Sequence, residues 1–259
     1  MERVLEKIVA ASRRELALRK TAVPAAELER KLDGLPPVRD FRAALTAPGM
    51  QVIAELKAAS PSKGIIRQPL EVEALAVELE RSGAAALSVL TERNYFLGGL
   101  ENLERARKVV ELPLLRKDFI YDEYQILEAR AAGADAVLLI AAMLVPAEYR
   151  RLQKFAESLG LAVLSEAHTA GEIAMLLDNG ASIVGVNARN LSTFATDLGV
   201  VAELMGRIPA DKVRVSESAL KSNADLKQMK RLGADAFLIG ETLMRAASPG
   251  EKLCELIAK

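Results

Sequence analysis

Four times in this chain a helical pattern ends in Gly-Ala and runs directly into a short apolar stretch. The copies are RSGAAALSVL (residues 81–90), AAGADAVLLI (131–140), DNGASIVGVN (178–187) and RLGADAFLIG (231–240). Glycine at a helix C-terminus takes the left-handed conformation that stops the helix without strain. The consecutive apolar residues that follow suit a parallel strand covered on both faces. The copies lie about 50 residues apart, the length of two βα units, and a further strand fits inside each gap. Strands are therefore expected at 52–55, 86–90, 112–115, 136–140, 161–164, 183–186, 213–215 and 237–239. Helical patterns separate them, among them 72–81, 123–132, 147–159, 169–178 and 222–232. Eight alternating units predict a single α/β domain, a (β/α)8 TIM barrel over 50–259. A doubly wound open sheet is the alternative. Residues 1–49 form an N-terminal helical extension, with Val4, Ile8, Val9 and Leu16 at helical spacing. Its expected main role is to cover part of the barrel, and contact with the site is the lesser reading.

Composition narrows the function. Thirty-five basic residues balance 35 acidic ones, which argues against a general nucleic-acid or membrane-surface binder. Aromatic residues are only 4% and Trp is missing, so base-stacking platforms are not expected. One cysteine, Cys254, and one histidine, His168, allow neither a disulfide framework nor a Cys or His metal cluster. Cys254 is expected to be a small packed side chain, and His168 a loop or helix-start residue. Met175, Met229 and Met244 are expected in the core. The charged N-terminus lacks a signal-type apolar segment, and no run is long enough for a membrane span. The reading is a reduced, cytoplasmic, monomeric protein with no nucleic-acid or membrane partner.

In a TIM barrel the C-terminal strand ends carry the active site. Here those ends hold Glu55 and Lys57, Lys117, Glu166, Asn187 with Arg189, and Ser216-Glu217-Ser218, with Gly240 after the last strand. Five strands thus send polar or ionisable groups to one rim. A carboxylate such as Glu55 inside an apolar run needs a cationic partner, and Lys57 and Lys117 are the candidates. The loops SESALKSN and GETLMR follow strands seven and eight, where many barrels bind phosphate. Ser218, Gly240 and Thr242 are candidate contacts there.

The segments VIAELKAASPSKG, LLRKDFI, LSEAH, VNARNL, VSESAL and FLIGETLMR resemble the indole-3-glycerol phosphate synthase family, in its order and spacing along the whole chain. The resemblance implies a cofactor-free lyase acting on a small phosphorylated substrate, 1-(2-carboxyphenylamino)-1-deoxyribulose 5-phosphate. Ring closure, loss of carbon dioxide and loss of water would give indole-3-glycerol phosphate, in tryptophan biosynthesis. By family position Lys117 is the acid at the ketone oxygen. Lys57 meets the phosphate and is a candidate acid for dehydration. Glu166 is the base, and Glu55 holds the lysines and shares the base role. Ser60, Asn187 and Arg189 match the anthranilate end. Phe96, Phe119, Leu138 and Leu191 match its apolar walls, with Pro61 and Ile140. Lys57, Ser218, Ala219, Gly240 and Glu241 match the phosphate positions.

Two departures stand out. The family usually has Gly where this chain has Ala219, which would be strained at positive φ. Glu241 would repel a phosphate, so only its backbone N–H is expected to bind, with the side chain turned outward. The SPSKG turn is read as a mobile loop over the substrate with Lys63 near its tip. Two other functions fit parts of the pattern: a Schiff-base aldolase using a strand-end lysine, and an inactive barrel scaffold.

Overall fold

β1 (Gln51–Leu56) pairs in parallel with both β4 (Ala86–Leu90) and β10 (Ala236–Ile239), and this double pairing closes the sheet on itself. The computed structural model describes residues 4–187 and 198–258. Between β4 and β10 the order follows the chain: β5 (Leu114–Lys117), β6 (Ala136–Ile140), β7 (Ala162–Ala167), β8 (Ile183–Asn187) and β9 (Val213–Glu217). The eight-stranded closed barrel is the predicted TIM fold. Helices α4 (Val72–Arg81), α5 (Leu100–Arg107), α6 (Glu123–Ala131), α7 (Pro146–Ser158), α8 (Ala170–Asp178), α9 (Leu198–Met205) and α10 (Asn223–Arg231) follow successive strands. The short α11 (Glu241–Met244) and then α12 (Pro249–Ile257) follow β10. The glycines of the recurring motif, Gly83, Gly133, Gly180 and Gly233, all have φ between 88° and 101°, so the left-handed helix stop is real at each copy.

The side chains form two main cores. Alternate strand residues such as Val52, Leu87, Leu139 and Phe237 face the helices. Ile53, Leu115, Leu138, Leu164, Val215 and Leu238 fill the barrel interior. Phe41 and Leu45 of α3 (Phe41–Thr46) belong to that interior cluster and are buried. Asp40 caps this helix by accepting the Ala43 N–H at 2.8 Å. Replacing Leu45 by Ala would cost about 2–5 kcal/mol, as for other buried leucines.

The N-terminal extension packs on the barrel's outer helices and also borders the cavity at its mouth. α1 (Val4–Ala22) and α2 (Ala25–Leu32) pack Leu16 and Leu28 against Tyr124 and Leu127 of α6. Leu5 and Ile8, at the other end of α1, reach the cavity at the barrel mouth. Met229 and Met244 are buried and Met175 packs at the edge of the core. Cys254 corrects an expectation: it is exposed on α12, because Leu253 and Leu256 take that helix's buried stripe.

The observed strands differ from the expected ones chiefly at their ends. The third begins at Leu114 rather than 112, since Pro113 has no N–H for a ladder. The fifth and seventh run on through Glu166 and Glu217. Polar residues marked strand ends in the sequence, yet here they continue the ladder with their side chains buried at the mouth. The segment after β1 folds as a short antiparallel hairpin, β2 (Ala59–Ser60) with β3 (Gly64–Ile65), with the SPSKG turn at its tip.

Candidate active site

Strand alternation sends neighbouring residues of β5 in opposite directions. Arg116 turns outward, where it donates to Asp118 at 2.9 Å. Lys117 points into the mouth, and its Nζ lies 2.6 Å from Glu166 Oε2 on β7 and 3.5 Å from Glu217 Oε2 on β9. On the other side, Lys57 Nζ donates to Glu55 Oε1 at 2.5 Å. Glu55 thus takes Lys57 as its partner and leaves Lys117 to Glu166. All five side chains are at least 87% buried, Lys117 being the most exposed at 13%.

A cavity of about 410 Å³ opens over this cluster, within the size range of small-molecule sites. Glu55, Lys57, Ser60, Phe96, Lys117, Phe119, Leu138, Glu166, Asn187, Ser218, Ala219, Gly240 and Glu241 all line it. Arg189 and Leu191 lie outside the described residues. Pro61 and Ile140 also border the cavity, and Lys63 is exposed at its rim. Phe96 and Phe119 face each other across 6.1 Å, a wall suited to a flat ring. Glu92 holds this wall in place. Its buried carboxylate accepts the backbone N–H groups of Asn94, Tyr95 and Phe96.

Charge and burial tune the cluster. Burial disfavours the Lys117 ammonium, yet Glu166, Glu217 and Glu55 outweigh it and raise its pKa. Burial also opposes ionised Glu166, but Lys117 and then His168 hold it well below the usual carboxylate range. Glu217 goes the other way. Burial, then Glu166 and Glu55 against the pull of Lys117, push it up to about 8. Neither of its carboxylate oxygens finds a hydrogen bond among the described residues. The raised pKa favours the protonated form of Glu217 at pH 7, a carboxylic acid beside the Lys117 ammonium.

Glu217 was only one of several strand-end residues in the sequence, and its role was missed. Gly185 of β8 makes room for it, since a Cβ there would clash with Glu217 Oε1. Gly240 has the same relation to the other pair: a Cβ would come within 2.2 Å of Glu55 Oε1 and 3.0 Å of Lys57 Nζ. The close approach expected of Gly240 is therefore first an approach to Glu55 and Lys57.

The pKa of Glu217 gives a pH prediction. A folded-state value above the unfolded one stabilises below the unfolded pKa, and the benefit is lost as pH rises through the folded value. Wild-type stability should thus decline between pH 4.5 and about 8 from this group. Glu217→Gln should flatten that decline and stabilise the fold by roughly 1–4 kcal/mol above the window. Denaturant melts at several pH values test it, and parallel pH curves for the two proteins would contradict it.

The loops expected to bind phosphate offer fewer free hydroxyls than that expectation supposed. Ser218 Oγ donates to Asn187 Oδ1 at 2.8 Å, and Thr242 Oγ1 donates to the Leu220 carbonyl at 2.7 Å, so both hydroxyls already have acceptors. The expected Thr242 donor is occupied within its own loop. Glu241 turns to Arg245, accepting from its Nε at 2.9 Å. Arg245 and Lys221 join Lys57 as cations bordering the cavity.

The sequence pattern of the family described as indole-3-glycerol phosphate synthase matches residues 5–256. A protein of that description from Alkaliphilus metalliredigens is 46% identical over 98% of this chain and 97% of its own length. Another from Koribacter versatilis is 48% identical over 99% of this chain and its full length. The chain belongs to the indole-3-glycerol phosphate synthase family. Among solved structures, 3-hexulose-6-phosphate synthase from Salmonella typhimurium aligns with TM-score 0.65 at 15% identity, covering 80% of this chain and 96% of its own. That likeness speaks to the fold alone.

Indole-3-glycerol phosphate synthase is a carboxy-lyase of tryptophan biosynthesis, and the alternatives of an aldolase or an inert scaffold fall away. Among the described residues no group of His, Cys, Asp and Glu has the arrangement of a metal site, and no helix is long and apolar enough to cross a membrane. Ala219 has φ of 61°, next to Ser218 at 67°, so the conformation usually left to Gly in this family is indeed imposed on an alanine. Ala219→Gly should stabilise the protein by about 0.5 kcal/mol, the relief of left-handed strain exceeding the added freedom of the unfolded chain. An unchanged or lower denaturant midpoint would contradict this.

Proposed function

We propose that the Lys117–Glu166 pair moves the protons as 1-(2-carboxyphenylamino)-1-deoxyribulose 5-phosphate becomes indole-3-glycerol phosphate. The observation that carries this reading is the 2.6 Å contact between the two side chains, buried under a cavity with an aromatic wall. The aryl carbon bearing the carboxylate attacks the ketone carbon, and the carbonyl electron pair moves to oxygen. Lys117 donates its proton there, where the negative charge develops. The carbon–carboxylate bond then breaks, carbon dioxide leaves and the arene is restored. In the last step the hydroxyl made from the ketone departs as water, with Lys57 as its acid. Glu166 takes the proton released as the five-membered ring becomes aromatic.

Glu55 fixes the Lys57 ammonium by the 2.5 Å hydrogen bond. Glu166 is the base in this reading because it lies directly against the acid Lys117 and borders the same cavity. Glu217, neutral at pH 7, can return a proton to Lys117 over their 3.5 Å contact. Phe96, Phe119 and Leu138 pack the aryl ring, with Leu191, and Ser60, Asn187 and Arg189 serve its carboxylate end. Lys57 and the backbone at Ser218, Ala219, Gly240 and Glu241 hold the phosphate. Arg245 neutralises the Glu241 carboxylate that would otherwise repel it.

The chain contains no Trp, so indole emission from the product rises on a quiet background. Turnover of authentic substrate by this signal tests the roles in a set of variants. Full turnover in Lys117→Met would remove that residue from the mechanism. The monomeric, cytoplasmic state is also part of the proposal. Sedimentation at working concentration tests the monomer.

A further inference from the structure

The lone histidine lies beside the base. His168 follows β7 directly, and Thr169 then caps α8 by accepting the Glu172 N–H at 3.2 Å. Glu172 returns its own carboxylate to the His168 backbone N–H at 2.7 Å. This reciprocal capping arrangement, spelled His-Thr-x-x-Glu, fixes where the imidazole projects. The ring is 90% buried, with Nε2 3.3 Å from Glu166 Oε1 and Nδ1 3.4 Å from Glu172 Oε2. The other oxygen of Glu166 carries the Lys117 contact.

Both ring nitrogens therefore face groups that only accept. A neutral imidazole would turn one bare lone pair toward a carboxylate, and only the doubly protonated ring suits both sides. The angles are those of ion contacts rather than aligned hydrogen bonds, so charge matters more here than direction. The charged groups around the ring are Glu166 and Glu172. Lys117 from β5 and Glu217 from β9 lie beyond Glu166. The neighbouring 141–143 turn (Ala-Ala-Met), β6 and β8 offer no ionisable side chain.

We propose that His168 is a positioning residue, a cation clamped between Glu166 and Glu172 that keeps the Glu166 carboxylate ionised and fixed toward Lys117. Its effect on the reaction rests on the reading of Glu166 as the base. Burial opposes the charged ring, but the two carboxylates raise its pKa to about 9, in agreement with the geometry. Removing the cation should make Glu166 easier to protonate without touching the substrate pocket, because His168 does not border the cavity.

The single histidine makes the test direct. Ring-labelled protein gives one histidine signal set by NMR, with no assignment needed. The wild-type ring should stay protonated through pH 8, and its midpoint should fall by about one unit or more in both Glu166→Gln and Glu172→Gln. In His168→Gln, kcat at pH 7 should fall about tenfold with KM within about twofold, and the acid limb of the kcat profile should move up by about one pH unit. His168→Leu, with no donor at all, should lose more than His168→Gln. A wild-type midpoint near 6.5, or one unmoved by Glu166→Gln, would overturn the clamp. An unmoved acid limb in His168→Gln would overturn its effect on catalysis. Full turnover in Glu166→Gln would instead overturn the base assignment, and the NMR titration would still decide the clamp by itself.

Discussion

Lys117→Met should lower kcat by about 10²–10⁴, the range for loss of a positioned general acid, and it should destabilise the fold at neutral pH. The two effects share one cause. The ammonium is the contact of Glu166 at 2.6 Å and of Glu217 at 3.5 Å, and Met fills the space without the charge. Breaking a buried pair from one side costs about 3–5 kcal/mol, because the remaining carboxylate stays in a dry site. Burial then raises the Glu166 pKa with only His168 left to oppose it. A carboxyl whose folded pKa is raised stabilises at low pH and loses that benefit as pH rises. The variant should therefore regain stability on acidification while its activity stays low. Indole emission and denaturant melts at two pH values read both effects. Turnover within threefold of wild type, or a loss of stability independent of pH, would contradict the account.

Glu166→Gln should lower kcat by about 10² or more, as loss of a general base does, with KM little changed. Gln keeps the shape and removes the charge, so the cavity wall survives. Lys117 then keeps only the Glu217 contact at 3.5 Å, with a carboxyl whose pKa is raised in the wild type. With the acceptor for Lys117 weakened, its proton should leave more readily than in wild type, and the basic limb of the pH profile should move down. An unchanged profile with reduced turnover would point to distortion of the site rather than loss of the base.

The barrel was legible because its repeat rests on local physics. Gly83, Gly133, Gly180 and Gly233 stop helices in the left-handed region, and each stop announces a strand. The strand-end carboxylates and amines were legible for the same reason, since position on a barrel strand fixes which rim a residue joins. Distances across the mouth were not. Lys117 and Glu217 lie on strands separated by β6, β7 and β8, and only barrel closure shows that they meet. The glycines that make room for the acids carry half of that information. Gly185 looks like any strand glycine until Glu217 is seen beside it. His168 was read as a helix-start residue, which is where it sits. Its contact with Glu166 is set by the cap at Thr169 and Glu172, which was not connected to the site. Cys254 was misjudged because residue type says little about which face of α12 it occupies. Residues 188–197 fall outside the described structure, so Arg189 and Leu191 rest on the family resemblance.

The central claim is that residues brought together from β5 and β7 handle protons as one unit. A double-mutant cycle measures this most directly, with kcat determined from indole emission for wild type, Lys117→Met, Glu166→Gln and the double variant. Residues that act as a unit are far from additive, so the double variant should be about as slow as the slower single one. Losses that multiply independently, or wild-type-like turnover in either single variant, would contradict the claim.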